Sequence, residues 1–168
     1  QQPDINKQDK MKEYEKQRQE FLINAKNIKS IVNHYYVSKK RRQKDYYTPG
    51  GVMGKRPDHA TITYSKAIKK AYPEVPVIIG GVEASLRRLC HYDYISDALM
   101  KSILLDSFAD LILYGMGERN TIEVAEALDS GLNISDIIYV RGTVWKTKDE
   151  SLLPTDAIYL PTYNELKK

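Results

Sequence analysis

Residues 75–85 read VPVIIGGVEAS. Within them, Val77 to Ile79 is a continuous apolar run that ends at the glycine pair Gly80-Gly81, and residues compatible with a helix follow from Glu83. A second apolar run, Leu111 to Tyr114, is followed in the same way by Gly115-Met116-Gly117. Short strands that are apolar on both faces are typical of a parallel sheet covered on two sides. We therefore expect the two runs to be neighbouring parallel strands.

Helical and strand patterns alternate on both sides of these runs. Apolar residues with helical spacing predict helices over Tyr64 to Ala71, which Pro73 ends, and over Ile122 to Leu128, which Gly131 ends. Shorter helical patterns begin at Glu83 and cover Leu99 to Leu105, and apolar runs predict further strands at Phe21 to Ile23 and Ile137 to Val140. This alternation predicts a three-layer α/β domain with a mainly parallel sheet.

Length and composition set the class of protein. The 168 residues fit a single domain, 1–168, and an excess of 26 basic over 22 acidic side chains gives a net charge of +4. No apolar run approaches the eighteen or so residues that a membrane span needs, and we expect a cytoplasmic protein without a membrane partner. The one cysteine, Cys90, excludes an internal disulfide and a multi-cysteine metal site. We also expect the chain to assemble no stable four-iron cluster.

The positive charge is concentrated in a loop over residues 38–60, which follows an exposed N-terminal helix predicted within residues 1–20. From Ser38 to Arg56 seven basic residues stand against Asp45, and Tyr35, Tyr36, Tyr46 and Tyr47 flank them. A solvated loop explains such a run as well as an anion site does. The anion site would use Lys39, Lys40, Arg41, Arg42, Lys55 and Arg56. With the tyrosines as stacking platforms, the same loop would form a nucleic-acid-binding module, for RNA in particular.

The glycine loops are the second candidate site. Ligands of parallel sheets bind beyond the carboxyl ends of the strands, where glycine lets the backbone approach closely. Glycines that only close tight turns are the alternative. The candidate cleft residues are Gly80, Gly81, Glu83, Ser85, Arg87, Arg88, His91, Tyr92, Asp93, Gly115, Gly117, Glu118 and Arg119. We expect the two loops and the arginine pair to lie close together, with Glu83 or Glu118 paired to an arginine.

Other chemistry finds less support in the sequence. The third glycine of a dinucleotide fingerprint would fall at Asn120, so Gly115-x-Gly117 does not complete that motif. His34 and His91 lack metal-ligand spacing, and structural histidines are favoured over an acid–base pair or a metal site. We expect a buried, inert Cys90, no catalytic residue and no metal ligand in this chain.

Several distinctive blocks follow one another along the chain: 32–35 (VNHY), 38–42 (SKKRR), 47–51 (YTPGG), 54–58 (GKRPD), 76–88 (PVIIGGVEASLRR), 91–94 (HYDY), 102–107 (SILLDS) and 114–119 (YGMGER). Together they resemble, in order over about residues 20 to 140, the N-terminal domain of the YgiQ family of radical SAM proteins.

The resemblance implies a non-catalytic accessory domain that shapes a substrate or cofactor cleft for a downstream barrel. That barrel, in the same polypeptide, would carry a 4Fe-4S cluster and S-adenosylmethionine. The domain is similar to Rossmann-like, cobalamin-binding modules, although it lacks the D-x-H-x-x-G motif that would supply a histidine ligand to cobalt. Compared with the family, the chain also looks truncated on its N-terminal side. The resemblance implies no particular substrate.

Overall fold

The computed structural model describes residues 22–24 and 34–167. The exposed helix predicted within residues 1–20 lies outside these ranges. The strands are β1 (Leu22–Asn24), β2 (Ile78–Gly80), β3 (His91–Asp93), β4 (Ala98–Met100), β5 (Leu111–Leu113) and β6 (Thr143–Val144). The α-helices are α1 (Ala60–Ala71), α2 (Gly81–Leu86), α3 (Ile103–Asp106), α4 (Glu118–Asp129) and α5 (Tyr163–Leu166). Short 3-10 helices occupy Pro49–Gly51, Ile134–Asp136 and Glu150–Leu152.

A four-stranded sheet in the order β1-β2-β5-β6 forms the centre of the fold. β2 pairs in parallel with β1 and with β5, so that Ile78 lies beside Leu111 and Ile79 beside Ile112. The short strand β6 runs antiparallel to β5. The prediction of an α/β domain with a mainly parallel sheet is therefore confirmed.

The core lies on both faces of this sheet because alternate residues of a strand point to opposite sides. Ile79 and Ile112 pack with Ile103 and Leu104 on one face, where Ile62 and Ile68 of α1 cover them. On the other face, Leu111 and Leu113 pack with Val124 and Ala127 of α4 and with Ile137 and Val140. Helices thus cover the sheet on both sides, as the three-layer expectation requires.

The predicted strand over Ile137 to Val140 is wrong. Ile137 and Val140 are buried, but residues 137–140 form no strand after the 3-10 helix Ile134–Asp136. The chain reverses at Gly142, whose φ of +75° favours glycine, and the carbonyl of Gly142 accepts a hydrogen bond from the Tyr114 amide. The edge of β5 is therefore paired with Thr143–Val144 instead.

The predicted helix over Leu99 to Leu105 is wrong in its first half. Ala98–Met100 is β4, which pairs antiparallel with β3 in a separate two-stranded hairpin. Helix α3 begins only after Ser102, whose hydroxyl accepts a hydrogen bond from the Leu104 amide as an N-terminal cap. The helices predicted over Tyr64 to Ala71 and Ile122 to Leu128 both form, the first ending two residues before Pro73. Among residues 22–24 and 34–167, no helix is long and apolar enough to cross a membrane.

Candidate functional site

The two glycine loops meet at the carboxyl ends of β2 and β5. The Gly115 amide donates a hydrogen bond of 3.2 Å to the Ser85 hydroxyl, which joins the loop after β5 to helix α2. Gly80 lies so close to the neighbouring strand that a Cβ atom there would stand 3.2 Å from the Leu113 carbonyl oxygen. Gly81 and Gly115 have φ of +78° and +75°, a conformation that side chains other than glycine rarely adopt. Glycine is therefore needed at Gly80 because the backbone of the neighbouring strand is close, and at Gly81 and Gly115 because the backbone there has a positive φ.

Arg88 lies beside the glycine loops, next to Ser85 and Tyr114. Its guanidinium stacks 4.8 Å from the centre of the Tyr114 ring and donates to the carbonyl of Ser85. It also borders a groove of about 430 Å³. The groove is lined further by Leu89, Cys90, Ser102, Leu104, Leu105, Val144, Trp145, Lys146, Leu160, Pro161 and Leu166. Arg88 therefore contacts residues next to both glycine loops and also borders the groove.

Arg87 points into the protein and joins a buried polar network. Its guanidinium lies 3.7 Å from Glu83 and 3.4 Å from Asp93, and it donates to Nδ1 of His59 at 3.0 Å. The Thr61 hydroxyl completes the network by donating to Glu83 at 2.5 Å. Burial acts to raise the pKa of Asp93, but the hydrogen bonds from Ser96 together with the charge of Arg87 and the nearby His59 hold the pKa below its ordinary value. Glu83 thus pairs with an arginine as expected, in a network that ties α1, α2 and β3 together.

The remaining predicted cleft residues are arranged differently. Arg119 is 88% exposed and pairs with Glu123 on its own helix, and Glu118 is exposed. Tyr92 is exposed, and its hydroxyl donates to Asp97 across the turn of the hairpin. His91 is partly exposed in β3, where its Nδ1 lies 3.1 Å from the Leu89 carbonyl and its Nε2 is buried without a hydrogen-bond partner in the described ranges. Among the predicted residues, Gly80, Gly81, Ser85, Arg88, Gly115 and Gly117 lie around the strand ends.

The basic loop is an ordered segment built around His34 and Asp45, both fully buried. Nδ1 of His34 lies 2.6 Å from Asp58, and its Nε2 lies 3.3 Å from Asp45. Arg56 donates to both Asp45 oxygens at 2.7 Å. The favoured reading of His34 as a structural histidine agrees with this geometry, although its partners are 11 and 24 residues away in sequence.

The pKa values of the two carboxylates in this cluster, Asp45 and Asp58, are lowered. The Arg56 guanidinium, helped by the Tyr47 amide and by His34, lowers the pKa of Asp45 from 3.8 to about 2. Burial acts to raise the pKa of Asp58, yet hydrogen bonds from His34 and Tyr35 together hold it below its ordinary value. The hydrogen bond to Asp58 in turn raises the pKa of Tyr35. These acids are therefore charged at neutral pH and face the cations of the segment.

Lowering the pH should remove the contribution of Asp45 to stability. Its folded-state pKa is depressed, so the stabilisation is complete above the unfolded value of 3.8 and is lost as the pH falls through that value toward about 2. We expect the difference in free energy of unfolding between the wild type and Asp45→Asn to be constant at pH 5 to 7 and to shrink below pH 4. Urea unfolding at each pH measures it, and a difference that does not change down to pH 2 would contradict the assignment.

The side chains of this chain bear on whether it could hold a metal ion, an iron–sulfur cluster or cobalamin. Across residues 22–24 and 34–167, no three His, Cys, Asp or Glu side chains are placed to hold a metal ion. One cysteine in the whole sequence does not fit a four-iron cluster. For cobalamin, the chain lacks the D-x-H-x-x-G motif that would supply a histidine ligand to cobalt, and both nitrogens of His34 are engaged by carboxylates. No step is therefore built on either group within this chain.

The structure thus defines an α/β domain whose candidate site is assembled from the ends of adjacent parallel strands. The family model described as radical SAM N-terminal matches residues 1–168. The chain belongs to this family, and the resemblance to the YgiQ family is confirmed. No solved structure matches the chain.

Two curated proteins that are similar to this chain support the same family assignment. The chain is 48% identical over 165 residues to a UPF0313 protein of Clostridium botulinum (strain ATCC 19397), a match covering 98% of this chain and 25% of the relative. A UPF0313 protein of Clostridium perfringens (strain ATCC 13124) is 47% identical over the same shares. The chain therefore spans about a quarter of the length of these relatives.

Two features of the site were missed at the level of sequence. The sequence pattern places Tyr114 in the strand, but β5 ends at Leu113 and the Tyr114 ring lies against Arg88. The hydrogen-bond partners of His34 were missed because Asp45 and Asp58 are distant in sequence. The tyrosine directly before Gly115 was an available signal for the first, whereas spacing offers none for the second.

Proposed function

We propose that this chain is the N-terminal accessory domain of a larger radical SAM protein and forms one wall of its substrate or cofactor cleft. The iron–sulfur cluster, S-adenosylmethionine and the radical chemistry would belong to another part of that polypeptide, the downstream barrel. This division agrees with the single cysteine of the sequence. It also agrees with the family membership and with the quarter of the relatives' length that the chain spans.

The observation that carries the cleft proposal is the joined pair of glycine loops. The hydrogen bond from the Gly115 amide to Ser85 joins the loop after β5 to helix α2, which begins at the end of the adjacent parallel strand β2, and no side chain projects from Gly80, Gly81 or Gly115. A ligand can therefore approach the backbone at this edge. Arg88 adds a positive charge beside the Tyr114 ring. The arrangement suits a ligand that combines a planar or apolar part with an anionic or polar group.

The test replaces Arg88 with alanine in the full-length radical SAM protein that carries this domain. We expect the rate of reductive S-adenosylmethionine cleavage, measured as 5′-deoxyadenosine formed in the presence of substrate, to fall about tenfold, equivalent to about 1.4 kcal/mol. The loss of a half-buried cation–π contact and a backbone hydrogen bond should cost stability only about 1 kcal/mol.

Arg119→Ala is the matched control, because it removes the same charge from an exposed position on α4. It should leave both the cleavage rate and the thermal unfolding temperature unchanged. An unchanged rate in Arg88→Ala, or a fall in rate equalled by Arg119→Ala, would overturn the cleft proposal.

A further inference from the structure

The segment from His34 to Asp58 exposes both tyrosines and lysines. We name the surface that these side chains form the tyrosine–lysine face. Its members are Tyr36, Lys39, Lys40, Lys44, Tyr46, Tyr47 and Lys55, all of which are exposed.

Both acids of this segment are engaged by neighbouring side chains. The Asp45 side chain is fully buried and is bound by Arg56, while Asp58 is held by His34 and Tyr35. None of Lys39, Lys40, Lys44 and Lys55 forms an ion pair with a residue in the described ranges. With Asp45 buried and Asp58 engaged by His34 and Tyr35, the exposed charged side chains of the tyrosine–lysine face are all lysines.

The backbone fixes this surface in place. Antiparallel bridges join Tyr35 to Arg41 and Lys44 to Val52, so the segment makes two successive turns. The Asp45 amide donates to the Gly51 carbonyl at 3.0 Å, and the Thr48 hydroxyl lies within 3 Å of the carbonyls of both Asp45 and Val52. Because the turns are tied to the buried cluster, the exposed rings and cations are held in a set arrangement before any ligand binds.

The rings are available for stacking. Arg42 lies over Tyr36 at 4.6 Å and Arg56 lies over Tyr47 at 5.0 Å, yet these rings remain 50% and 60% exposed. Tyr46 is 88% exposed. A guanidinium on one side of a tyrosine leaves its other side open to a base, and base–aromatic stacking contributes about 1–3 kcal/mol per base.

We propose that the tyrosine–lysine face binds single-stranded nucleic acid, with bases stacking on the tyrosines and phosphates meeting the lysines. Single strands offer free base faces, whereas the bases of a duplex are stacked on one another. The cations are spread over two turns of the chain and do not converge on one point, which suits a chain of phosphates better than one small anion. This proposal uses none of the cleft residues and does not depend on the cleft proposal.

The binding experiment follows the fluorescence anisotropy of a labelled oligouridylate of about twelve nucleotides, titrated with the chain at several salt concentrations. If four lysines contact phosphates, the logarithm of the association constant should fall against the logarithm of salt concentration with a slope of about −3. The matching oligothymidylate distinguishes RNA from DNA. A duplex of the same length should bind more weakly than either strand.

Two variants separate the phosphate contacts from stacking. The triple variant Lys39→Gln, Lys40→Gln, Lys44→Gln should flatten the salt slope by about 2. Tyr46→Ala should weaken binding between about fivefold and 150-fold while leaving the slope unchanged. The matched controls are the triple variant Lys66→Gln, Lys70→Gln, Lys148→Gln, and Tyr159→Ala, whose ring is 81% exposed elsewhere.

Several results would overturn the proposal. Absence of binding at low salt would do so, as would equal weakening by the control lysine variant, because that result means attraction to net charge alone. Duplex binding as tight as single-strand binding and unaffected by Tyr46→Ala would remove the stacking argument. Binding to vesicles containing phosphatidylserine without binding to either oligonucleotide would assign the face to a membrane surface instead. Thermal unfolding of each variant confirms that it is folded.

Discussion

Replacing Asp45 with alanine is expected to lower the free energy of unfolding by about 3 kcal/mol. Removing one partner of a buried ion pair costs about 3–5 kcal/mol, because the other charge stays buried without compensation. Here the variant leaves both Arg56 and His34 without their shared carboxylate. The lower end of the range applies, since Arg56 is 16% exposed and can turn toward water, whereas His34 is fully buried.

Urea unfolding measures this effect at pH 7, with Asp156→Ala as the control for loss of an exposed acid. The control should stay within about 0.5 kcal/mol of the wild type. Hydrogen exchange at the amides of Thr48 and Gly51, which bond within the segment, reports whether the loss is local or global. A variant that unfolds within 1 kcal/mol of the wild type and keeps the protection of both amides would show that the cluster is not what holds the segment together.

The sheet could be predicted from sequence to the extent that burial and hydrogen bonding coincide. Val77 to Ile79 and Leu111 to Tyr114 are apolar on both faces, and each run is followed by glycine. These two features predict the presence of both strands, their parallel pairing and the positions where they end. Ile137 and Val140 are equally apolar and buried, yet residues 137–140 form no strand. An apolar run reports that side chains are buried, but the turn at Gly142 decides which residues pair with β5.

Some features of the candidate sites could be predicted from the sequence and others could not. The joining of the Gly80 and Gly115 loops followed from topology, because strands linked by one crossover tend to be neighbours. The opposite directions of Arg87 and Arg88 did not follow, since adjacent residues at the end of the short helix α2 face different surroundings. Arg87 meets Glu83 and Asp93 inside, whereas Arg88 meets Tyr114 at the cleft. Composition likewise showed a basic loop over residues 38–60 but did not reveal its buried acids.

Leu111→Ala should lower the free energy of unfolding by about 3 kcal/mol, within the usual range of about 2–5 kcal/mol for a leucine truncated in a core. Leu111 is fully buried on the face of the sheet that α4 covers, in one cluster with Leu113, Val124 and Ile137. The cavity cannot close easily, because β5 is held between β2 and β6. Leu86→Ala, at a position 69% exposed, is the matched control and should cost less than about 1 kcal/mol. Chemical denaturation of both variants measures the difference, and equal losses would mean that the two-sided core does not dominate the stability of this domain.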